Sequence, residues 1–162
     1  MATELKELYQ RTFLDHGRNP RNQGEVQRMT HSARGHNPLC GDVVNLSLHR
    51  QENGTINDIA FEGRGCAISI ATASLMTEMV KGRHEDDARA LGQTFDAVAK
   101  TGEGAIPDDL NDDDAEKLRI LAGIHAFPMR IKCATLPWRT LEAALESQST
   151  ATTEPVDTKI EA

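Results

Sequence analysis

Aromatic residues and long apolar runs are both scarce in this chain. Phe, Trp and Tyr make up 4% of the residues, against 38% hydrophobic residues in total, so we expect an aliphatic core of Ala, Leu, Ile and Val. No apolar run approaches the roughly 20 residues needed to cross a membrane, and we expect no membrane association. The N-terminal stretch MATELKELYQRTF has no apolar signal core. These absences predict a cytoplasmic protein.

Basic residues are outnumbered by acidic ones. The chain has 18 Lys and Arg against 25 Asp and Glu, for a formal net charge of −7. Because a nucleic-acid-binding surface is basic, we expect no nucleic-acid partner. The length of 162 residues suits a single domain. We place that domain at residues 1–147 and predict a disordered tail at 148–162, which has no core pattern.

Cysteine is also rare, with three residues in the whole chain. A reducing cytoplasm disfavours a disulfide framework, and an odd number would leave one cysteine unpaired. The cysteines are therefore metal ligands, reactive thiols or buried packing residues.

The hydrophobic pattern predicts an α+β fold. Apolar residues recur at helical spacing in five segments, residues 3–16, 67–81, 85–100, 114–124 and 133–147. Strands are predicted at 29–37 (an edge strand), 43–51 and 56–63, the last two joined by a hairpin turn at Asn53-Gly54. We therefore expect a small antiparallel three-stranded sheet packed against several helices.

Two polar features have simple structural interpretations. The Gly- and Asp-rich stretch at 102–116 reads as a surface insertion. Its acidic run from Asp108 to Asp114 is expected to be solvated, because it lacks the glycine and terminal glutamate of a calcium loop. His16 is expected to close the first helix, where a cation is favourable.

Two of the three cysteines fall at predicted helix starts. Cys66 follows the 63-GRG-65 turn, and Cys133 begins the last helix. Pro137 is expected in the first turn of that helix, which places Cys133 at or just before its start. The helix dipole and nearby basic residues lower the pKa of a thiol in such a position.

The third cysteine stands beside a carboxylate. Cys40 and Asp42 are two residues apart and are separated by Gly41, so an extended segment would turn both side chains to one side. With Cys66 and Cys133 they would give four ligands, a set that suits zinc or an iron–sulfur cluster. The excess negative charge would need cations, for which Arg64, Arg130 and Lys132 are candidates. Without a CxxC pair the spacing is not specific, and separate buried thiols remain the alternative.

Several segments resemble the U-type iron–sulfur assembly proteins. The matching motifs are NPLCGD (37–42), FEGRGCAIS (61–69), FPMRIKCATLPW (127–138), LYQ (8–10) and HGRNPRN (16–22). The SufU branch is the most similar. Scaffold-type (IscU) relatives carry a histidine just before the third cysteine and an LPPVK-like segment, whereas this chain has Lys132 and AFPMRIK there and an extra stretch around 102–116.

The resemblance implies a zinc-dependent sulfurtransferase. Its metal ligands would be Cys40, Asp42, Cys66 and Cys133, and Cys40 would accept persulfide sulfur from a SufS-type, pyridoxal-phosphate cysteine desulfurase and pass it to downstream cluster-assembly proteins. We expect Arg130 to steady the released thiolate or Asp42. Two alternatives remain, a scaffold that assembles a [2Fe–2S] cluster on the same ligands and a protein with a purely structural zinc. The carboxylate ligand disfavours the last, because closed structural sites prefer sulfur and nitrogen.

Overall fold

The chain forms five α-helices and a four-stranded sheet over residues 2–38 and 41–152, which a computed structural model describes. The helices are α1 (Ala2–Arg18), α2 (Ala67–Val80), α3 (Glu85–Thr101), α4 (Asp112–Ala122) and α5 (Ile131–Leu145). The strands are β1 (His31–Asn37), β2 (Asp42–Arg50), β3 (Ile56–Arg64) and β4 (Thr150–Thr152). The α+β prediction is confirmed, and every predicted helix and strand is present with its ends shifted by a few residues at most.

The sheet has one more strand than predicted. Its order is β3-β2-β1-β4, with antiparallel pairs except for β4, which runs parallel to β1. β1 is therefore an interior strand and not an edge. The prediction of a tail from residue 148 did not anticipate β4, which is too short and too polar to give a strand pattern. Residues 153–162 lie outside the described residues.

The last helix begins earlier than the sequence suggested. A 3-10 turn at Pro128–Arg130 leads directly into α5, which begins at Ile131 and not at Cys133. Pro137 is consequently the seventh residue of α5 and not in its first turn, so that prediction is wrong. Proline has no N–H to donate to the carbonyl four residues earlier, which is that of Cys133. Cys133 itself remains in the first turn, as the metal-site hypothesis requires.

The core lies between the sheet and the helices. α5 crosses β1 so closely that a Cβ added to Gly35 would lie 1.8 Å from Thr140 Oγ1, so only glycine fits at this crossing. On the other side of α5, the rings of Trp138 and Phe95 stack with centroids 5.8 Å apart. This packing fixes the position of the helix that carries Cys133. Within the described ranges, no helix is both long and apolar enough to cross a membrane.

The acidic segment is only partly solvated. Asp114 is 1% exposed and its carboxylate accepts a hydrogen bond of 2.7 Å from Arg83. Asn111 caps α4 by accepting a hydrogen bond from the Asp114 N–H. The expectation of a fully solvated acidic run is therefore wrong at Asp114, because Arg83, which lies 31 residues earlier in the sequence, packs over its carboxylate.

His16 is buried and not an exposed cation at the end of α1. It is 4% exposed, its Nδ1 lies 2.7 Å from Ser74 Oγ, and its Nε2 lies 3.5 Å from Glu78 Oε1. Burial lowers the pKa of His16 below the ordinary histidine value. The predicted role as a helix-terminal charge is therefore not supported, and His16 joins α1 to α2 as a packed, hydrogen-bonded ring.

Candidate metal centre

Asp42 is the first residue of β2 and its side chain is fully buried. It lies opposite Asn37 in the register of β1 and β2. A buried carboxylate needs hydrogen-bond donors or a cation to replace water. For Asp42, a backbone N–H at the start of α2 is such a donor.

That donor is the N–H of Cys66, which gives a hydrogen bond of 2.8 Å to Asp42 Oδ1. Cys66 is the N-cap residue of α2, so Asp42 caps this helix from another strand. The second carboxylate oxygen, Oδ2, lies 3.7 Å from Cys66 Sγ. One oxygen of Asp42 therefore holds the helix start, and the other faces the thiol.

Gly65 makes this approach possible. Its φ is +138°, and a Cβ at this position would lie 2.0 Å from Asp42 Oδ1 and 2.9 Å from Asp42 Cα. Any side chain would displace the carboxylate. Gly65, directly after the end of β3, is thus shaped around Asp42, where the sequence indicated only a turn before Cys66.

Cys133 completes the described cluster. Its side chain is fully buried in the first turn of α5, and its Sγ accepts a hydrogen bond of 3.6 Å from Asn37 Nδ2. Asn37 was not predicted as a residue of the site, although it is the first residue of the NPLCGD motif. No local pattern indicates a contact between residues 96 positions apart.

The donor atoms of Asp42, Cys66 and Cys133 all lie within 4.8 Å of one another. Tetrahedral zinc with bonds of about 2.3 Å to sulfur and 2.0 Å to oxygen places a sulfur and an oxygen ligand roughly 3.5 Å apart. The 3.7 Å between Cys66 Sγ and Asp42 Oδ2 is close to this value, so the donor set fits such an ion. The structure brings together three of the four predicted ligands.

The fourth predicted ligand, Cys40, lies outside the described residues. The chain on either side of it is anchored, because the Gly41 N–H donates a hydrogen bond of 2.8 Å to Asn37 O and residue 42 enters β2. Gly41 has a φ of +72°, a value that glycine adopts without strain. Asn37 and Gly41, which precede and follow Cys40 in sequence, are therefore both held next to the start of β2.

The three candidate cations are exposed at the ends of the elements that form the cluster. Arg64 ends β3, Arg130 directly precedes α5, and Lys132 lies in the first turn of α5. They stand one to three residues from a predicted ligand. Cations at such positions would offset part of the negative charge of the donor set, although screening by water limits the effect of exposed groups.

An apolar groove begins beside the cluster. Its volume is about 960 Å³, and it lies between α1, the start of α2 and the segment after α4. Ala67 and Ile68, which follow Cys66, form part of its wall, and Phe127 lies at its margin with 54% of its surface exposed. The candidate metal centre thus opens beside an apolar surface.

Comparison with known proteins identifies a family for this chain. Residues 8–134 match the NifU-like N-terminal domain family. The chain is 37% identical to the zinc-dependent sulfurtransferase SufU of Bacillus subtilis over 89% of this chain and 93% of that protein. It is 36% identical to the iron–sulfur cluster assembly scaffold protein IscU of Streptococcus pyogenes over 92% and 89% of the two chains.

A solved structure has the same fold. It is a putative iron–sulfur cluster assembly scaffold protein for the SUF system from Fervidobacterium islandicum, with a TM-score of 0.72 and 28% identity over 86% of this chain and 97% of that one. The family match covers all the predicted ligand positions, from Cys40 to Cys133. The chain therefore belongs to the NifU-like N-terminal domain family, together with the IscU and SufU proteins of iron–sulfur cluster assembly.

Proposed function

We propose that this protein is a zinc-dependent sulfurtransferase that accepts persulfide sulfur from a SufS-type cysteine desulfurase in the cytoplasm. One observation carries the proposal. The donor cluster consists of a carboxylate and two thiols, and no histidine belongs to it among the described residues. Lys132 precedes Cys133 and is exposed, where scaffold-type relatives carry a histidine. The similarity to the zinc-dependent SufU of B. subtilis supports the same assignment.

The proposed ligands are Cys40, Asp42, Cys66 and Cys133. Zinc, when bound, keeps cysteine ligands deprotonated and has no redox chemistry of its own. The protein contributes the arrangement of the donors. Asp42 is held by the Cys66 N–H through one oxygen and offers the other, while Cys133 is held by Asn37. Three of the four donors are thereby fixed by the backbone or by buried side chains.

Cys40 is the proposed acceptor, because Gly41 follows it in sequence with a φ of +72° and the resemblance to the SufU branch implies this role. Its thiolate would attack the outer sulfur of the desulfurase persulfide. A new S–S bond forms on Cys40 as the old S–S bond breaks, and the desulfurase cysteine leaves as a thiolate. Sulfur and electrons balance without an added oxidant or reductant. The Cys40 persulfide would then pass its sulfur to a downstream cluster-assembly protein.

Arg130 is the proposed cationic partner of the transfer. It is exposed and lies three residues before Cys133, at the start of the helix that carries this proposed ligand. The transfer moves negative charge from Cys40 to the leaving cysteine, and a nearby guanidinium would stabilise both. Replacing Arg130 with Ala should slow transfer and leave zinc binding intact. Full transfer activity in that variant would remove Arg130 from the proposal.

The test is cysteine-dependent sulfide release by a SufS-type desulfurase, measured anaerobically and without iron. Zinc-loaded protein should stimulate the desulfurase strongly, and both Cys40→Ala and zinc-stripped protein should lose the effect. A mass increase of one sulfur atom on Cys40 would identify the acceptor. Absence of stimulation by correctly folded, zinc-loaded protein would contradict the proposal.

The second candidate is a scaffold that assembles a [2Fe–2S] cluster on the same four residues. The observation in its favour is the similarity to the IscU scaffold of S. pyogenes, which is as extensive as the similarity to SufU. Sulfur-rich donor sets also suit iron–sulfur clusters. Adding ferrous iron to the same assay separates the two. A cluster absorption spectrum that appears without prior stimulation of the desulfurase would favour the scaffold.

A further inference from the structure

Asn37 occupies the junction of the segments that carry the candidate ligands. It is the last residue of β1, is fully buried, and lies opposite Asp42 in the sheet. Its carbonyl accepts a hydrogen bond from the Gly41 N–H, and its side chain donates to Cys133 Sγ. One residue thus pairs with one proposed ligand in the sheet and hydrogen-bonds to a second.

The direction of the side-chain bond indicates its chemistry. A thiolate offers only lone pairs, so an amide beside it must present its NH₂ group. The observed contact joins Asn37 Nδ2 to Cys133 Sγ at 3.6 Å, with both residues fully buried. A hydrogen bond to an ionised acceptor is stronger than a neutral one, and more so away from water. The contact therefore fixes the position of the Cys133 sulfur against the end of β1.

We propose that Asn37 is a positioning residue that holds the Cys133 thiolate as a fixed metal ligand. The inference rests on the proposed metal site and deepens it. Hydrogen bonds to a ligating sulfur orient it and reduce the electron density it gives to the metal. Asn37 performs this role from the buried end of β1, opposite Asp42. The same end of the sheet thus positions both Cys133 and Asp42.

The test uses Co²⁺ as a spectroscopic probe of the intact protein, with Zn²⁺ affinity measured by chelator competition. The variant is Asn37→Ala, and the matched control is Asn45→Ala, an exposed asparagine on β2 of the same sheet. Loss of an outer hydrogen-bond partner typically lowers metal affinity by about 10- to 100-fold. We expect a loss of at least about tenfold for Asn37→Ala and none for the control.

The thiolate-to-cobalt charge-transfer band supplies the second readout. Without the N–H donor the sulfur lone pairs rise in energy, so the band should move to lower energy in Asn37→Ala. A purely structural role would lower the melting temperature and leave the band where it is. If Asn37→Ala does not fold, Asn37→Asp has nearly the same shape and replaces the NH₂ by an oxygen that repels the thiolate. It should show the same loss of affinity.

The outcomes separate this inference from the proposed function. Thiolate-to-cobalt bands in the wild type, with unchanged affinity and band energy in the folded variant, would overturn the role of Asn37 and leave the metal site standing. A wild-type protein that binds Co²⁺ without such bands would overturn the metal site itself, and the role of Asn37 with it. A band shift with weaker Zn²⁺ binding in Asn37→Ala alone would establish the inference.

Discussion

Asp42 Oδ1 accepts a 2.8 Å hydrogen bond from the backbone N–H of Cys66, while Oδ2 lies 3.7 Å from the sulfur of the same residue. The two oxygens thus have separate tasks, one in capping α2 and one in facing the proposed metal. Side chains that cap a helix contribute about 1 kcal/mol to stability. Substitutions at Asp42 can separate the two tasks.

We expect Asp42→Asn and Asp42→Ala to lose zinc affinity alike and stability unequally. An asparagine oxygen can still accept the Cys66 N–H, but a neutral amide is a poor zinc ligand. Both variants should bind zinc more weakly by at least about tenfold. In the metal-free state, Asp42→Ala should be less stable than Asp42→Asn by about 1 kcal/mol. Chemical denaturation and chelator competition measure the two effects, and equal stability of the two variants would refute the capping role.

The second prediction concerns Gly65, which leaves no room for a side chain beside the Asp42 carboxylate. Gly24 is its natural control, because its φ of +124° is similar to the +138° of Gly65 but nothing lies within 4 Å of a Cβ placed there. Alanine in such backbone conformations costs on the order of 1–3 kcal/mol at either position. Only at position 65 would the methyl group also displace the Asp42 carboxylate.

Gly65→Ala should therefore weaken zinc binding, whereas Gly24→Ala should lower stability alone. The measurement is zinc affinity at a temperature where both variants are folded by circular dichroism. Equal zinc affinity in the two variants would mean that Asp42 can move away from the new methyl group without leaving the site.

The third prediction concerns the acidic segment. Asp114 is buried against Arg83, whereas the neighbouring Asp113 is 74% exposed and pairs with Lys117 at the surface. Asp114→Ala should lower the free energy of unfolding by on the order of 2 kcal/mol, because it removes a buried charged hydrogen bond. Asp113→Ala should change it by less than about 0.5 kcal/mol. Similar values for the two variants would show that the pair with Arg83 contributes little.

The fold was largely predictable because most of its signals are local. Asn53-Gly54 marks the hairpin, and apolar spacing marks each helix within a few residues. β4 was not predictable, since Thr150–Thr152 is polar and its strand geometry comes from pairing with β1.

The position of Pro137 in α5 was also predicted wrongly, because it depends on residues before the helix. The preference of proline for the first turn of a helix predicted that α5 begins near Cys133. The 3-10 turn before α5 instead lets the helix begin at Ile131.

The sequence predicted the candidate ligands of the site but not the residues that position them. Cysteine and aspartate are rare enough in such positions to indicate metal chemistry from sequence. Asn37 and Gly65 have no such chemical signature, because one is a common strand-end residue and the other a common turn residue. Their roles depend on contacts with Cys133 and Asp42, which only the folded chain defines.

The last prediction concerns His16, whose pKa is lowered by burial and, secondarily, by the nearby positive charges of Arg21 and Lys117. The carboxylates of Glu78 and Asp15 oppose the shift. A lowered folded pKa means that the unfolded chain binds a proton more readily than the folded one. Stability from neutral His16 is therefore fully present above the unfolded value of about pH 6.5 and is lost as the pH falls toward the folded pKa.

His16→Gln should flatten this pH dependence, because glutamine can still hydrogen-bond to Ser74 but does not titrate. Unfolding free energy measured from pH 7.5 down to pH 5 should fall more steeply for the wild type than for the variant. His36→Gln, at an exposed histidine of β1, should retain the wild-type slope. A wild-type slope in His16→Gln would mean that other groups control acid sensitivity, and that the ring between α1 and α2 accepts a proton as readily when folded as when unfolded.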